Sequence, residues 1–273
     1  MKRFENMLLC SDLDGTLLQS DQTISAQTLQ AIEYFKSEGG LFTFITGRMP
    51  YFVSTIEQTV HPNAPIGCIN GGGLYDFSTQ SYLWRLEISR DVLELVRDVE
   101  RAIPGIGIQV NTFNTLYFCT ENEGMKEFRR FTGLPNITCH YDDVHEPIAK
   151  IVFCDHIEQH IAAAQALLDA HPRAHEFTFI RSEKTLYEIL PKGIHKGVAL
   201  RTLAEHYHIP RENTIAVGDY DNDIGMLREA GIGIAVANAT AATKAAADHI
   251  TVSNNEHPIA KIIAGLENGT LRA

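Results

Sequence analysis

Two aspartates one residue apart, Asp12 and Asp14, close the apolar run Leu8-Leu9-Cys10 and are followed by Gly15-Thr16-Leu17. Residues i and i+2 of a β-strand project from the same face, so the pair would point together if the strand ran on through both. If the strand stops at Asp12, the Gly-Thr turn can instead deliver both to one crevice at the strand's C-terminal edge, where open α/β sheets hold their ligands. Carboxylates so close repel unless a proton or a cation lies between them. A hard, oxygen-seeking cation such as Mg²⁺ resolves that conflict. A bare D-x-D is also an ordinary acidic turn after a buried strand, but D-x-D-G-T-L after an apolar run is far more specific.

Three further groups have side chains suited to the same chemistry. Thr46-Gly47-Arg48 follows the apolar stretch Leu41–Ile45, and Lys196 stands in Lys192-Gly193-Ile194-His195-Lys196-Gly197 at the start of an expected helix. Gly218-Asp219-Tyr220-Asp221-Asn222-Asp223 follows the apolar stretch Thr214–Val217. In a parallel sheet such strand ends share one edge, so groups more than a hundred residues apart can converge. Together they offer carboxylates for a metal, a hydroxyl donor and a fixed cation. Phosphoryl transfer needs those parts: positioning of the reacting group and neutralisation of the charge on its oxygens.

The elements that would carry these residues can be read from periodicity. Ser25 to Glu38 has helical spacing with Leu29, Ile32 and Phe35 apolar and Ser25 at the N-cap, and Gly39-Gly40 ends it. Leu41 to Thr46 reads as a strand, Pro50 to about Val60 as a helix, and Ile66 to Ile69 as a third strand. Continuous apolar strands alternating with helices indicate a parallel sheet covered on both faces. The rhythm then changes. A hairpin is expected across Leu74–Leu86, then helices over 89–101, 121–131 and 157–168. Strands are expected near 107–110, 115–119, 150–154, 175–181 and 185–190. The doubly wound rhythm returns with a helix at 196–208, strands at 214–218, 233–236 and 249–252, and helices at 221–230, 241–247 and 258–266. The expectation is a doubly wound, Rossmann-like α/β core formed by residues 1–84 and 190–273, interrupted by an inserted α+β domain at 85–189.

Composition narrows the partners. The chain has 273 residues, 44% hydrophobic and 21% charged, with 23 basic and 34 acidic side chains and a formal charge of −11. No basic run offsets that charge, which argues against nucleic acid and anionic membranes as partners. An acidic protein handling an anionic substrate must bring positive charge locally, through a metal or a few placed cations. Cys10, Cys68, Cys119, Cys139 and Cys154 lack any C-x-x-C spacing and read as small buried residues in a reducing compartment. The N-terminus leads directly into the first strand without the apolar region of a signal peptide, and no run approaches the ~20 apolar residues of a membrane helix. The expected location is the cytoplasm, as monomer or homodimer.

These four groups, in this order, resemble the four motifs of the haloacid dehalogenase (HAD) superfamily. The insertion, with Leu186-Tyr187-Glu188-Ile189-Leu190-Pro191 leading towards the lysine, is similar to the Cof-type phosphatases with a large α/β cap. Asn70-Gly71-Gly72 departs slightly from the Asn-Gly-Ala common there. The resemblance implies that Asp12 attacks phosphorus to form an aspartyl-phosphate and that Asp14 serves as general acid and base. It implies that Thr46, with Gly47, and Lys196 hold the phosphoryl group, with Asn222 holding it or orienting its neighbours. Mg²⁺ would be bound by Asp12, the backbone carbonyl of Asp14 and Asp219, with Asp223 as a ligand or as support. Arg48 is left between reaching substrate and pairing with a core carboxylate, the structural role being favoured.

The implied activity is hydrolysis of a small phosphorylated metabolite, a sugar phosphate or a phosphorylated cofactor such as PLP or FMN. A phosphomutase on the same core is the first alternative, and a non-catalytic sugar-phosphate or nucleotide binding protein the second. A response-regulator receiver shares the aspartates, Thr and Lys but is too small for this chain.

Overall fold

The computed structural model describes residues 2–132, 135 and 137–271. The chain divides into two compact units, residues 1–85 with 195–273 and residues 86–194.

The first unit is built on a five-stranded parallel sheet. In chain order its strands are β1 (Leu8–Ser11), β2 (Leu41–Phe44), β11 (Thr214–Gly218), β12 (Ile232–Ala235) and β13 (His249–Ile250). Their spatial order is β13-β12-β11-β1-β2, which sets β1 between β11 and β2, paired in parallel with both. Leu8 and Cys10 share an apolar cluster with Leu200 and Leu203 of α6 (Lys196–His206) and Met226 and Leu227 of α7 (Ile224–Glu229). By strand alternation Leu9 and Ser11 face the opposite side. Two helices that pack on each other, α1 (Ala26–Ser37) and α9 (Pro258–Asn268), complete the unit, α1 lying against β2. Ser25 caps α1 by accepting a hydrogen bond from the Thr28 amide at 3.1 Å. β1, β2, β11 and β12 are largely apolar and buried because helices cover both faces of the sheet.

The structure decides between the two readings of the opening motif: β1 ends at Ser11, so Asp12 and Asp14 do not project from a continuing strand, and Leu13–Leu17 form one wide turn broken at Asp14 and Gly15. Elsewhere it corrects the sequence reading. The third apolar run, β3 (Ile66–Cys68), does not extend the parallel sheet as a full strand. It meets it through one parallel bridge, Ile45 to Gly67, and pairs antiparallel with β4 (Gly73–Asp76), which pairs with β5 (Ser81–Arg85). The cause is a reversal at Ile69–Gly71, where Ile69, Asn70 and Gly71 all take positive φ and turn the chain back along β3. The helix expected from Pro50 opens as a single 3-10 turn, Pro50–Phe52, and α2 runs Ser54–Val60. That expected from Asp221 likewise opens with the 3-10 turn Asp221–Asp223 before α7, and the last strand is only two residues long.

The second unit is an antiparallel five-stranded sheet in the order β7-β6-β8-β10-β9. Its strands are β6 (Gly107–Thr112), β7 (Leu116–Thr120), β8 (Ile148–Cys154), β9 (Phe177–Glu183) and β10 (Leu186–Pro191). One face, with Ile108, Val110, Ile151, Phe153 and Ile189, is covered by α3 (Val92–Ala102) and α5 (Glu158–Asp169). On the other face, α4 (Glu123–Thr132) lays Met125 and Phe128 over Phe118, Val152 and Leu186. Cys119 and Cys139 are only partly buried, contrary to the reading of all five cysteines as core residues.

The reversal after β3 can be tested. Gly71 has φ +94°, and a Cβ there would lie 2.2 Å from the backbone oxygen of His195. Gly71→Ala combines left-handed strain with a backbone clash and is expected to cost about 2–4 kcal/mol, read as a lowered thermal midpoint. An unchanged midpoint would contradict this packing.

Candidate active site

The edge of the parallel sheet gathers the site. Asp12 follows β1, and its amide donates to the Val217 carbonyl at 2.8 Å, which ties it to β11. Asp219 follows β11, and Thr46 follows the β2 strand run, its amide bonded to the Gly67 carbonyl at 2.9 Å. Lys196 is the first residue of α6. His195 precedes it as N-cap, accepting from the Gly197 amide at 3.2 Å.

Lys196 is the centre of the arrangement. Its ammonium is buried and donates to Asp12 Oδ1 at 2.5 Å and to Asp223 Oδ1 at 2.6 Å. The other oxygen of Asp223 accepts from the amides of Asp219, at 2.9 Å, and Tyr220, at 3.1 Å, which anchors the loop after β11. Asp219 Oδ1 accepts from the Thr16 hydroxyl at 2.9 Å. One carboxylate oxygen from each of Asp12, Asp219 and Asp223 lies within 4.8 Å of the others, the one such group among the described residues. Gly15 makes room for it: a Cβ there would lie 2.5 Å from Asp219 Oδ2.

The electrostatics follow from two buried acids, Asp12 and Asp223, and the half-buried Asp219 gathered around one cation. Burial first, then the Asp223 carboxylate, pushes the Asp12 carboxyl well above the ordinary carboxylate range, against the pull of Lys196. Asp219 is pushed up to about 6, again by burial and then by Asp223, with the Thr16 hydrogen bond opposing. Burial alone would lower the Lys196 ammonium, but the charges of Asp12 and Asp223 outweigh it and raise it. The site therefore holds an excess of negative charge made of hard oxygen donors. Such a donor set fits a divalent cation such as Mg²⁺, and Asp12, Asp219 and Asp223 are the residues that would hold it.

The other expected residues fall around this cluster. The Asp14 carboxylate lies outside it, turned to the Arg48 guanidinium, which donates from Nε to Oδ2 at 2.9 Å and from Nη2 to Oδ1 at 2.5 Å. Arg48 thus pairs with an acid of the opening motif. The buried Thr46 hydroxyl accepts from the Arg48 amide at 3.2 Å. Gly47 packs against Asn70, whose side chain a Cβ would meet at 3.0 Å. Asn222 Nδ2 donates to Asn70 Oδ1 at 3.0 Å, so its observed contact is with another site-edge residue. Asp221, left out of the sequence reading, is exposed and accepts from the Thr240 hydroxyl at 2.7 Å. Two contributors carried little signal in sequence. Asn70 is fully buried in a left-handed conformation, of which the Asn-Gly-Gly turn is the only trace, and Thr16, though part of the opening motif, has nothing local that marks Asp219 as its partner.

Comparison with known proteins agrees with this geometry. A family model described as haloacid dehalogenase-like hydrolase matches residues 9–263. The 5-amino-6-(5-phospho-D-ribitylamino)uracil phosphatase YitU of Bacillus subtilis is 29% identical over 259 residues, covering 94% of this chain and 96% of that protein. A putative phosphatase of Haemophilus influenzae is 28% identical over 257 residues, covering 93% and 95%. Among solved structures, a HAD-like hydrolase from Bacteroides thetaiotaomicron aligns with a TM-score of 0.80 at 24% identity, covering 94% of this chain and 98% of its own. A HAD subclass IIB sugar phosphatase aligns with a TM-score of 0.84 at 22% identity, covering 97% and 100%. The chain belongs to the haloacid dehalogenase-like hydrolase family, among its Cof-type phosphatases. None of its described helices is long and apolar enough to cross a membrane.

The charge imbalance predicts substitutions of opposite sign. Lys196→Met leaves Asp12 and Asp223 buried without their cation and is expected to cost about 3–5 kcal/mol. Asp219→Asn removes a repelling charge and is expected to stabilise the metal-free protein by about 1–3 kcal/mol at pH 8. Because folding raises this carboxyl from 3.8 to about 6, its ionised form opposes folding. The gain should be absent near pH 4, grow towards pH 6 and be complete above it. Thermal midpoints across that pH range, in the presence of a chelator, check both; a destabilised Asp219→Asn protein would contradict the imbalance.

Proposed function

We propose that the protein is a Mg²⁺-dependent phosphatase of small phosphate monoesters acting through an aspartyl-phosphate on Asp12. The observation that carries this reading is the buried Lys196 ammonium joining Asp12 to Asp223, with Asp219 completing the acidic group. Asp12 would attack phosphorus, the bond to the leaving oxygen would break, and Asp14 would give that oxygen a proton. Asp14 would then take a proton from the water that cleaves the aspartyl-phosphate, releasing inorganic phosphate and restoring both acids. The Arg48 fork sets the orientation of the Asp14 carboxylate, and Thr46, with the Gly47 backbone and Lys196, would hold the phosphoryl oxygens. Asn222 steadies that wall through Asn70. A bound Mg²⁺, held by Asp12, Asp219, Asp223 and the Asp14 carbonyl, would act as Lewis acid towards the same oxygens.

The second unit, residues 86–194, is proposed to select the ester, because the core groups above address only phosphoryl and metal. Candidate substrates are sugar phosphates and phosphorylated cofactors such as PLP or FMN. The name of the YitU relative adds a phosphoribityl compound. The proposed setting is the cytoplasm, as monomer or homodimer.

Phosphate release from a panel of these esters tests the reading. Activity is expected with Mg²⁺, to vanish with a chelator, and to fall roughly a thousandfold or more in Asp12→Asn. Full activity in that variant, or without any divalent ion, would overturn the mechanism; isomerisation of a sugar phosphate without phosphate release would mark a mutase.

A further inference from the structure

The segment that joins β12 to α8 (Ala241–Ala246) braces two loops of the acidic site. Asn238 Nδ2 donates to the Gly15 carbonyl at 2.8 Å. Two residues on, the Thr240 amide donates to the Asp219 carbonyl at 2.9 Å. The Thr16 hydroxyl joins the same two loops directly, through Asp219 Oδ1 at 2.9 Å. These bonds close a ring made of the opening turn at Gly15 and Thr16, the β11 loop at Asp219, and the short span from Asn238 to Thr240 that holds both.

A second layer backs the ring. Asn238 Oδ1 accepts from the Asn254 amide at 2.9 Å, so both ends of its side-chain amide are engaged and its orientation is set. Asn254 is buried, and its own Nδ2 donates to the Leu18 carbonyl at 3.0 Å, just past the end of the same turn. The opening turn is therefore hung from two backbone carbonyls, Gly15 and Leu18, on asparagines from the far end of the chain. It has need of them. Its winding is broken at Asp14 and Gly15, and the Asp14 carboxylate is turned to Arg48 and not to the cluster. Asp12 and Asp219 repel each other in the metal-free protein, whereas a hard cation needs their oxygens held close together.

We propose that Asn238, backed by Asn254, is a positioning residue for the divalent cation: its amide holds the opening turn against the β11 loop, so that Asp12 and Asp219 are already placed when the ion arrives. The proposal rests on the phosphatase reading above for its choice of ligands. It adds a residue that acts through the Gly15 backbone and not on the ion or the ester. Contacts one layer out from a metal are commonly worth about 10–100-fold in its affinity, because they set the direction of the groups that bind it.

The test compares the full chain with Asn238→Ala and Asn255→Ala. Asn255 is the control. It is exposed like Asn238 and also bonds the opening segment, accepting from the Ser20 amide at 2.9 Å and donating to the Ser20 hydroxyl at 2.9 Å, but beyond the ring. Mg²⁺ binding is measured by titration calorimetry without substrate, and the Mg²⁺ concentration for half-maximal phosphate release is measured with p-nitrophenyl phosphate. Asn238→Ala is expected to weaken Mg²⁺ binding about tenfold and to raise the half-maximal concentration in parallel. Its metal-free thermal midpoint should fall by no more than about 5 °C, since two hydrogen bonds from an exposed side chain contribute little to folding. Asn255→Ala should keep Mg²⁺ binding within about twofold of the wild type, as a surface change away from the site. A loss below about threefold in Asn238→Ala, an equal loss in Asn255→Ala, or a larger fall in the midpoint would overturn the assignment and leave the phosphatase reading standing. A wild type that binds no Mg²⁺ overturns both, and is recognised because it needs no substitution to appear. A wild type that binds Mg²⁺ but releases no phosphate ends the phosphatase reading alone, and the binding comparison then decides the assignment. Should Asn238→Ala not fold, Asn238→Ser is judged by the same limits.

Discussion

One ammonium shared among buried carboxylates is the interaction around which the first unit is arranged. Lys196 holds Asp12 and Asp223 together, and Asp223 in turn holds the amides of Asp219 and Tyr220. The acids outnumber the cation, so the cluster is a compromise in the metal-free protein, with Asp12 and Asp219 both pushed towards protonation by burial and repulsion. A divalent cation held by these carboxylates would relieve that compromise.

The parallel sheet makes the compromise possible. β1 lies between β11 and β2, so the ends of all three strands meet at one edge. Asp12, Thr46 and Asp219 reach it from positions over two hundred residues apart at the extremes, and α6 adds Lys196 from its first turn. Glycines allow the close approaches, Gly15 beside Asp219 and Gly71 beside the His195 backbone. An overall charge of −11 does not prevent the handling of an anion, because its positive charge is local and buried.

The two units bury different kinds of polar group. The first buries Asp12, Lys196 and Asp223 as one charged cluster. The second buries Gln109 and Asn111 beside the Lys150–Glu188 ion pair.

Much of this was legible in the chain itself. The apolar runs ending in Asp12-Leu13-Asp14-Gly15-Thr16, Thr46-Gly47-Arg48 and Gly218-Asp219 mark strand ends in any reading, because period and turn chemistry are local properties. The change of rhythm after Leu74 likewise shows as a loss of β-α alternation. Other features depend on distant partners and left no local trace. Ile66–Cys68 has the composition of a parallel strand, yet the positive-φ reversal at Ile69–Gly71 gave it an antiparallel neighbour. Arg48 could have reached substrate or an acid; only the folded turn brought Asp14 within its fork. The pairing of Lys196 with two acids exists only once strands far apart in sequence are in register. Residue order sets which groups sit at strand ends; the distances that decide partnership and charge state arise from long-range packing alone.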